Sequence, residues 1–224
     1  MNIQMAGIRN VEDAKMCVKA GVNIIGLLVG QMHNSDDFIT KERALEIKKS
    51  IPKKIKTTLI THLENAEEII EIAKYVGVNY IQLHSYIDES EVDIIRDALP
   101  KVKLVRLIHI SEGGTVLTDY SKYRNVDYYF TDSINLKTNQ VGGTGLTHNF
   151  ETDANLVKQL EKPTFVAGGL TPNNVEEVVR LCKPYGVDVN SGCRAIDGGR
   201  DKKKVEEFVK KANVWFGRDY ALYL

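Results

Sequence analysis

Two glycine turns carry the first chemical signal in this chain. In residues 163–175, Pro-Thr-Phe-Val-Ala-Gly-Gly-Leu-Thr-Pro-Asn-Asn-Val, an apolar run stops at Gly168 and Gly169. Thr171 then suits a helix N-cap, and Pro172 suits the first turn. A strand, tight turn and helix start in this order aim backbone N–H groups and a positive helix end at one point, which suits a phosphate. A second turn follows in Gly186-Val-Asp-Val-Asn-Ser-Gly192, where Ser191 and Gly192 hold the equivalent place, and Gly142-Gly-Thr-Gly145 adds Gly143 and Gly145. A glycine in a turn can simply permit positive φ. Repetition of the motif is what points to a bound phosphate.

Groups able to move protons lie near these turns in the sequence. Asp132 follows the apolar run Tyr128-Tyr-Phe-Thr directly. A partly buried carboxylate there is either a turn cap or a general acid or base whose pKa burial lifts towards neutrality. His84 follows Gln82-Leu83, and strand alternation puts Gln82 and His84 on one face; a structural histidine is the simpler reading. Cys193 lies one residue past the second turn, as a thiolate near backbone amides or as an inert filler. His33, Asp36 and Asp37 share a loop but have no matching ligands elsewhere, so neither a metal nor a cofactor is expected.

The elements that must position these residues alternate between short β-branched runs and amphipathic stretches. Strands are predicted at residues 3–8, 22–29, 56–61, 78–84, 102–108, 126–131, 164–167 and 187–190. Helices are predicted at 10–20, 41–50, 64–75, 89–99, 111–122, 152–160, 172–182 and 202–212, the fifth weakened by Gly113-Gly114. Eight βα units without a linker-like break predict an α/β fold: a single (β/α)8 TIM barrel over residues 1–214. In such a barrel the strand ends and the loops after strands seven and eight form the site. An open doubly wound sheet would use fewer strands. Residues 215–224, aromatic and apolar, form a tail expected to pack on the barrel or on a second subunit, in a monomer or homodimer.

Thirty Lys and Arg residues balance thirty Asp and Glu, so no net field recruits nucleic acid or an anionic membrane surface. Cys17, Cys182 and Cys193 form no CxxC pair, which argues against a zinc site or disulfide framework and fits a reducing compartment. The N-terminus lacks the layout of a signal peptide, and no apolar run nears the roughly 20 residues of a membrane helix. A cytoplasmic protein is expected.

With these motifs in order, the chain resembles the phosphoribosylanthranilate isomerase family. The resemblance rests on Gly7-Ile8, Asp13-Ala14, Ala20-Gly21, Gln82-Leu83-His84, Asp132, Gly142 to Gly145, Ala167-Gly-Gly-Leu170 with Pro172 and Asn174-Val175, Val187 to Gly192, and Gly199 to Asp201. It implies a barrel that binds a small phosphorylated sugar and performs an Amadori rearrangement. An acid protonates the ring oxygen of a phosphoribosyl amine, and a base then removes the C2 proton. By resemblance, Asp132 is the acid.

Two positions depart from the family pattern. The family's base is a cysteine in Lys-x-Cys-Gly at the end of strand one; here the segment reads Gln4-Met5-Ala6-Gly7, and a methyl group moves no proton. The family's strand-two loop carries an arginine, in Ser-x-Arg, that holds the anthranilate carboxylate; here the triplet is Ser35-Asp36-Asp37. The family also places an acid where this chain has Arg194. Three readings follow: an isomerase of a related phosphosugar amine, with Asp37, His84 or Cys193 as substitute base; a phosphosugar lyase or epimerase; or a non-catalytic phosphosugar-binding barrel.

Overall fold

In the computed structural model, which describes residues 1–30, 36–135, 140–141 and 149–213, eight parallel strands pair in sequence and close on themselves. They are β1 (Asn2–Met5), β2 (Ile24–Leu28), β3 (Lys56–Thr61), β4 (Tyr80–Leu83), β5 (Lys103–Ser111), β6 (Tyr128–Asn135), β7 (Thr164–Val166) and β8 (Gly186–Val189). Pairing of β8 with β1 closes the ring, with Gln4 opposite Asp188. A two-residue strand, Gln140–Val141, folds back antiparallel on β6. The helices are α1 (Val11–Ala20), α2 (Lys41–Ser50), α3 (Ala66–Val76), α4 (Glu89–Ala98), α5 (Phe150–Gln159), α6 (Val175–Cys182) and α7 (Lys202–Ala212).

Local signals set most helix ends. Asn10, Thr40, Asn65, Asn149 and Asp201 each accept a first-turn backbone N–H through the side chain, and Gly21 and Gly77 end α1 and α3 in the left-handed conformation. Each helix buries one stripe against the strands, as Ile69, Ala73 and Val76 do in α3. Inside the barrel, Phe130 and Phe165 stack at 6.3 Å, and Gly186 is the residue that admits Phe165, whose ring would lie 2.4 Å from a Cβ there. The described helices include none long and apolar enough to cross a membrane.

The segment predicted as a fifth helix, residues 111–122, is not one. β5 continues to Ser111 because it pairs with β6 over seven residues. The chain then turns at Gly114 (φ +83°) and runs back, with Ser111 N bonded to Thr115 O and Leu117 N to His109 O. Only a single 3-10 turn, Tyr120–Lys122, follows. Strand pairing and a positive-φ glycine override a weak helical pattern. α6 likewise starts later than predicted. Thr171 Oγ1 caps Asn173 N, so Thr171 does cap a turn, but helical geometry begins only at Val175. β1 ends at Met5, short of the predicted Ile8. The tail from residue 215 lies outside the described residues.

Candidate active site at the barrel mouth

The two glycine turns meet at the C-terminal ends of β7 and β8. Gly168 and Gly169 both have positive φ (+86° and +67°), a pair of values that side chains rarely adopt. Gly192 is required for a different reason: a Cβ there would lie 2.0 Å from the Leu170 carbonyl oxygen. The two turns therefore pack backbone to backbone. Asn174 braces the first, accepting from Thr171 N at 2.8 Å and donating to Gly169 O at 3.1 Å. Ser191 and Gly192 open a 3-10 turn, whose first N–H groups have no partner within the turn. Between the turns lies an open cleft lined by Asp132, Gly168, Gly169, Asp188, Asn190 and Ser191. Gly143, Gly145 and His33 lie outside the described residues.

A belt of polar side chains crosses the barrel beneath this cleft. Thr58 donates to Gln4 Oε1 at 2.6 Å, and Gln4 Nε2 donates to Gln82 Oε1 at 3.0 Å. Gln82 Nε2 in turn meets His84 Nδ1 at 3.1 Å. Since an amide nitrogen only donates, Nδ1 accepts and the His84 proton sits on Nε2. That atom faces Asp132 Oδ2 at 3.8 Å. Asp132 Oδ1 accepts from Ser133 N at 2.8 Å. His84 and Asp132 are both buried, and His62 lies against His84 with ring centres 4.9 Å apart. Phe38 meets His62 edge-on at 5.4 Å, which completes an aromatic wall on the β2–β4 side.

Asp188 is the member of this group that sequence reasoning missed. It is buried on β8, beside Gln4, and its Oδ1 has no hydrogen-bond partner among the described residues. Burial, and then the charge of Asp132, raise its pKa from 3.8 to about 8, against the opposing influence of Gln4 and Arg200. The signal was a carboxylate inside an apolar strand, Val-Asp-Val, which alternation sends into the barrel. The shift has a stability consequence. Unfolded Asp188 ionises near 3.8 and folded Asp188 near 8, so between these pH values the folded state holds the extra proton and stability falls as pH rises. Asp188→Asn should therefore raise the melting temperature at pH 8 by several degrees more than at pH 4, measured by calorimetry.

The structure assigns the other candidates differently. Asp37 is buried and paired with Arg194, and it accepts from Asn190 Nδ2 at 2.9 Å. It is thus the partner of a cation, and a role as substitute base would require breaking that pair. Cys193 is fully buried in the core, and burial pushes its thiol up to about 12. It is a neutral packing residue, which removes it as a nucleophile or base. Among the described residues no cluster of three or more His, Cys, Asp or Glu could hold a metal ion.

Arg200 ties the strand ends together. Buried, it donates to Asn190 O and Gly7 O, both at 2.6 Å, and to Asn190 Oδ1 at 2.8 Å. Gly7 has φ +67°, and a Cβ there would lie 2.5 Å from that guanidinium. Ala6, just before it, donates its N–H to Val189 O at 3.0 Å. The mouth of β1 is thereby locked to the mouth of β8, beside Asp188.

A closed eight-stranded barrel with a glycine-lined cleft and carboxylates at its C-terminal rim defines the class: a (β/α)8 barrel with its candidate site at the mouth. Comparison with known proteins places it more narrowly. The model of the N-(5'-phosphoribosyl)anthranilate isomerase family matches residues 3–211, and the chain belongs to that family. It is 39% identical over 212 residues to N-(5'-phosphoribosyl)anthranilate isomerase 2 of Methanosarcina mazei, covering 95% of this chain and 94% of that one. It is 34% identical to the isomerase of Bacillus mycoides, over 95% and 98% of the two chains. Among solved structures, the Pyrococcus furiosus isomerase superposes with a TM-score of 0.77 at 27% identity, over 95% of this chain and 98% of that one. The Thermotoga maritima isomerase gives 0.80 at 24% identity over the same shares, a likeness of fold.

Proposed function

We propose that this chain catalyses an Amadori rearrangement of a phosphoribosyl amine, with N-(5'-phosphoribosyl)anthranilate as the first substrate to test. One observation carries the reading: Asp132 lines the same cleft as the two glycine turns. A phosphate held by Gly168, Gly169, Ser191 and Gly192 would fix the non-reacting end of a pentose and leave its C1–C2 end near the carboxylate. Such positioning can replace much of the entropic barrier to reaction. The relatives' names support the same chemistry, and a solved isomerase of the family is described in complex with a reduced 1-(o-carboxyphenylamino)-1-deoxyribulose 5-phosphate.

The ring of an aromatic amine fits the wall of Phe38, His62 and His84. Asp37 does not oppose a carboxylate as its charge alone would suggest, because Arg194 neutralises it, and Arg194 Nε has no hydrogen-bond partner among the described residues. Relative to the family pattern, the two signs at this contact are exchanged. The exchange gives a stability prediction. Asp37→Arg alone sets two guanidiniums together and should destabilise the fold by about 1–3 kcal/mol, whereas Asp37→Arg with Arg194→Glu should recover most of that loss in chemical denaturation.

The direct test is loss of the substrate's fluorescence on mixing with the purified protein. Ala6 favours one second reading, an isomerase of a different phosphoribosyl amine. On that reading the wild-type protein leaves phosphoribosylanthranilate unchanged, and Ala6→Cys combined with Asp37→Arg and Arg194→Glu turns it over.

A further inference from the structure

The family pattern leaves Ala6 where a base would stand, yet the cleft contains two carboxylates on strands flanking β7. Asp132 on β6 and Asp188 on β8 both line it, and both are buried. Two buried carboxylates that feel each other's charge do not ionise together, and one proton stays with the pair. We infer that Asp132 and Asp188 hold a single proton between them and carry out both proton transfers of the rearrangement, Asp188 giving its proton to the ring oxygen and Asp132 taking the one on C2. The assignment rests on the isomerase reading above and goes beyond it, since it gives the acid's role to a residue that the resemblance did not assign.

The surroundings favour this division. Asp188 faces Asp132 from β6, Gln4 from β1 and Arg200 from the segment before α7, and its Oδ1 has no partner among the described residues. Burial makes it the member that keeps the proton, with a pKa near 8. Asp132 has its charge supported by Ser133 N at 2.8 Å, and by His84 Nε2, which carries its proton towards Oδ2 at 3.8 Å. A carboxylate so supported is poised to accept.

The step balances without a cofactor. Asp188 protonates the ring oxygen as the C1–O bond breaks and the amine nitrogen forms a C=N bond to C1. Asp132 then takes the C2 proton, the C1–C2 double bond forms, and the electrons return to nitrogen. Asp132 returns its proton to C1 and Asp188 takes the proton of the C2 hydroxyl to give the ketone, so C1 is reduced as C2 is oxidised. These two transfers leave Asp188 protonated and Asp132 ionised, which restores the starting pair. No group on β1 is needed.

Substrate deuterated at C2 separates the two roles. Asp188→Asn and Asp132→Asn should each lower kcat by about a hundredfold or more. In Asp188→Asn ring opening limits the rate and the deuterium isotope effect falls to unity, whereas in Asp132→Asn the effect is large. Inorganic phosphate should still bind both variants, which shows an intact cleft. Should either variant fail to fold, the infrared spectrum of the wild-type protein decides. A protonated-carboxyl band is expected at pH 7 and should vanish above about pH 8; no such band at pH 7 overturns the assignment. Undiminished kcat in Asp188→Asn, or isotope effects in the opposite order, overturns the assignment while leaving the isomerase reading in place. No turnover by the wild-type protein overturns both.

Discussion

Asp132→Ala is expected to lower kcat by about a thousandfold at pH 7, with KM changed by much less. Alanine removes the carboxylate but leaves the glycine turns proposed to hold the phosphate, so ground-state binding is expected to persist while proton transfer fails. His84 Nε2 lies 3.8 Å from Asp132 Oδ2, and His84 Nδ1 is committed to Gln82, so the imidazole is not placed to take over the carboxylate's proton transfer. Steady-state kinetics over the full pH range check this. A fall confined to KM would place Asp132 in binding and not in chemistry. Loss of a buried negative charge beside Asp188 should also bring the Asp188 pKa down, because the charge of Asp132 is one of the two causes that raise it.

Gly192→Ala is expected to have the second large effect, on affinity. Its Cβ would fall 2.0 Å from the Leu170 carbonyl oxygen, a backbone atom that cannot swing aside. The two turns must separate, and with them the N–H groups proposed to hold phosphate. KM should rise by ten- to a hundredfold, roughly the loss of one or two hydrogen bonds to a charged group. Stability should fall by about 1–3 kcal/mol as the β7 and β8 loops lose their packing. Binding of a phosphate ester by calorimetry, alongside a denaturation curve, distinguishes the two effects. An alanine variant that binds as tightly as the wild-type protein would remove these turns from the phosphate site.

The parts of this molecule that could be read from the sequence are those fixed by local geometry. Gly168 and Gly169 act through their own backbone and Thr171 through the next turn, so their positions announced the strand end and the turn that follows it. Gln82 and His84 shared a face as strand alternation requires. What escaped depended on closure of the ring. Residues 111–122 looked weakly helical because the pairing of Ser111 with Ile134 is not visible in either segment alone. Asp37 and Arg194, 157 positions apart, looked like two separate departures from the family pattern, and together they are one ion pair. Asp188 drew no reading from the sequence. Only the barrel brings it beside Asp132, where burial raises its pKa.

The central claim is that this cleft performs the rearrangement with Ala6 at the end of β1. The measurement that tests it most directly is the time course of phosphoribosylanthranilate fluorescence with the purified wild-type protein and with Asp132→Ala beside it. Enzyme-dependent loss of fluorescence that Asp132→Ala abolishes is the predicted result. A wild-type trace that matches the spontaneous decay of the substrate would contradict it.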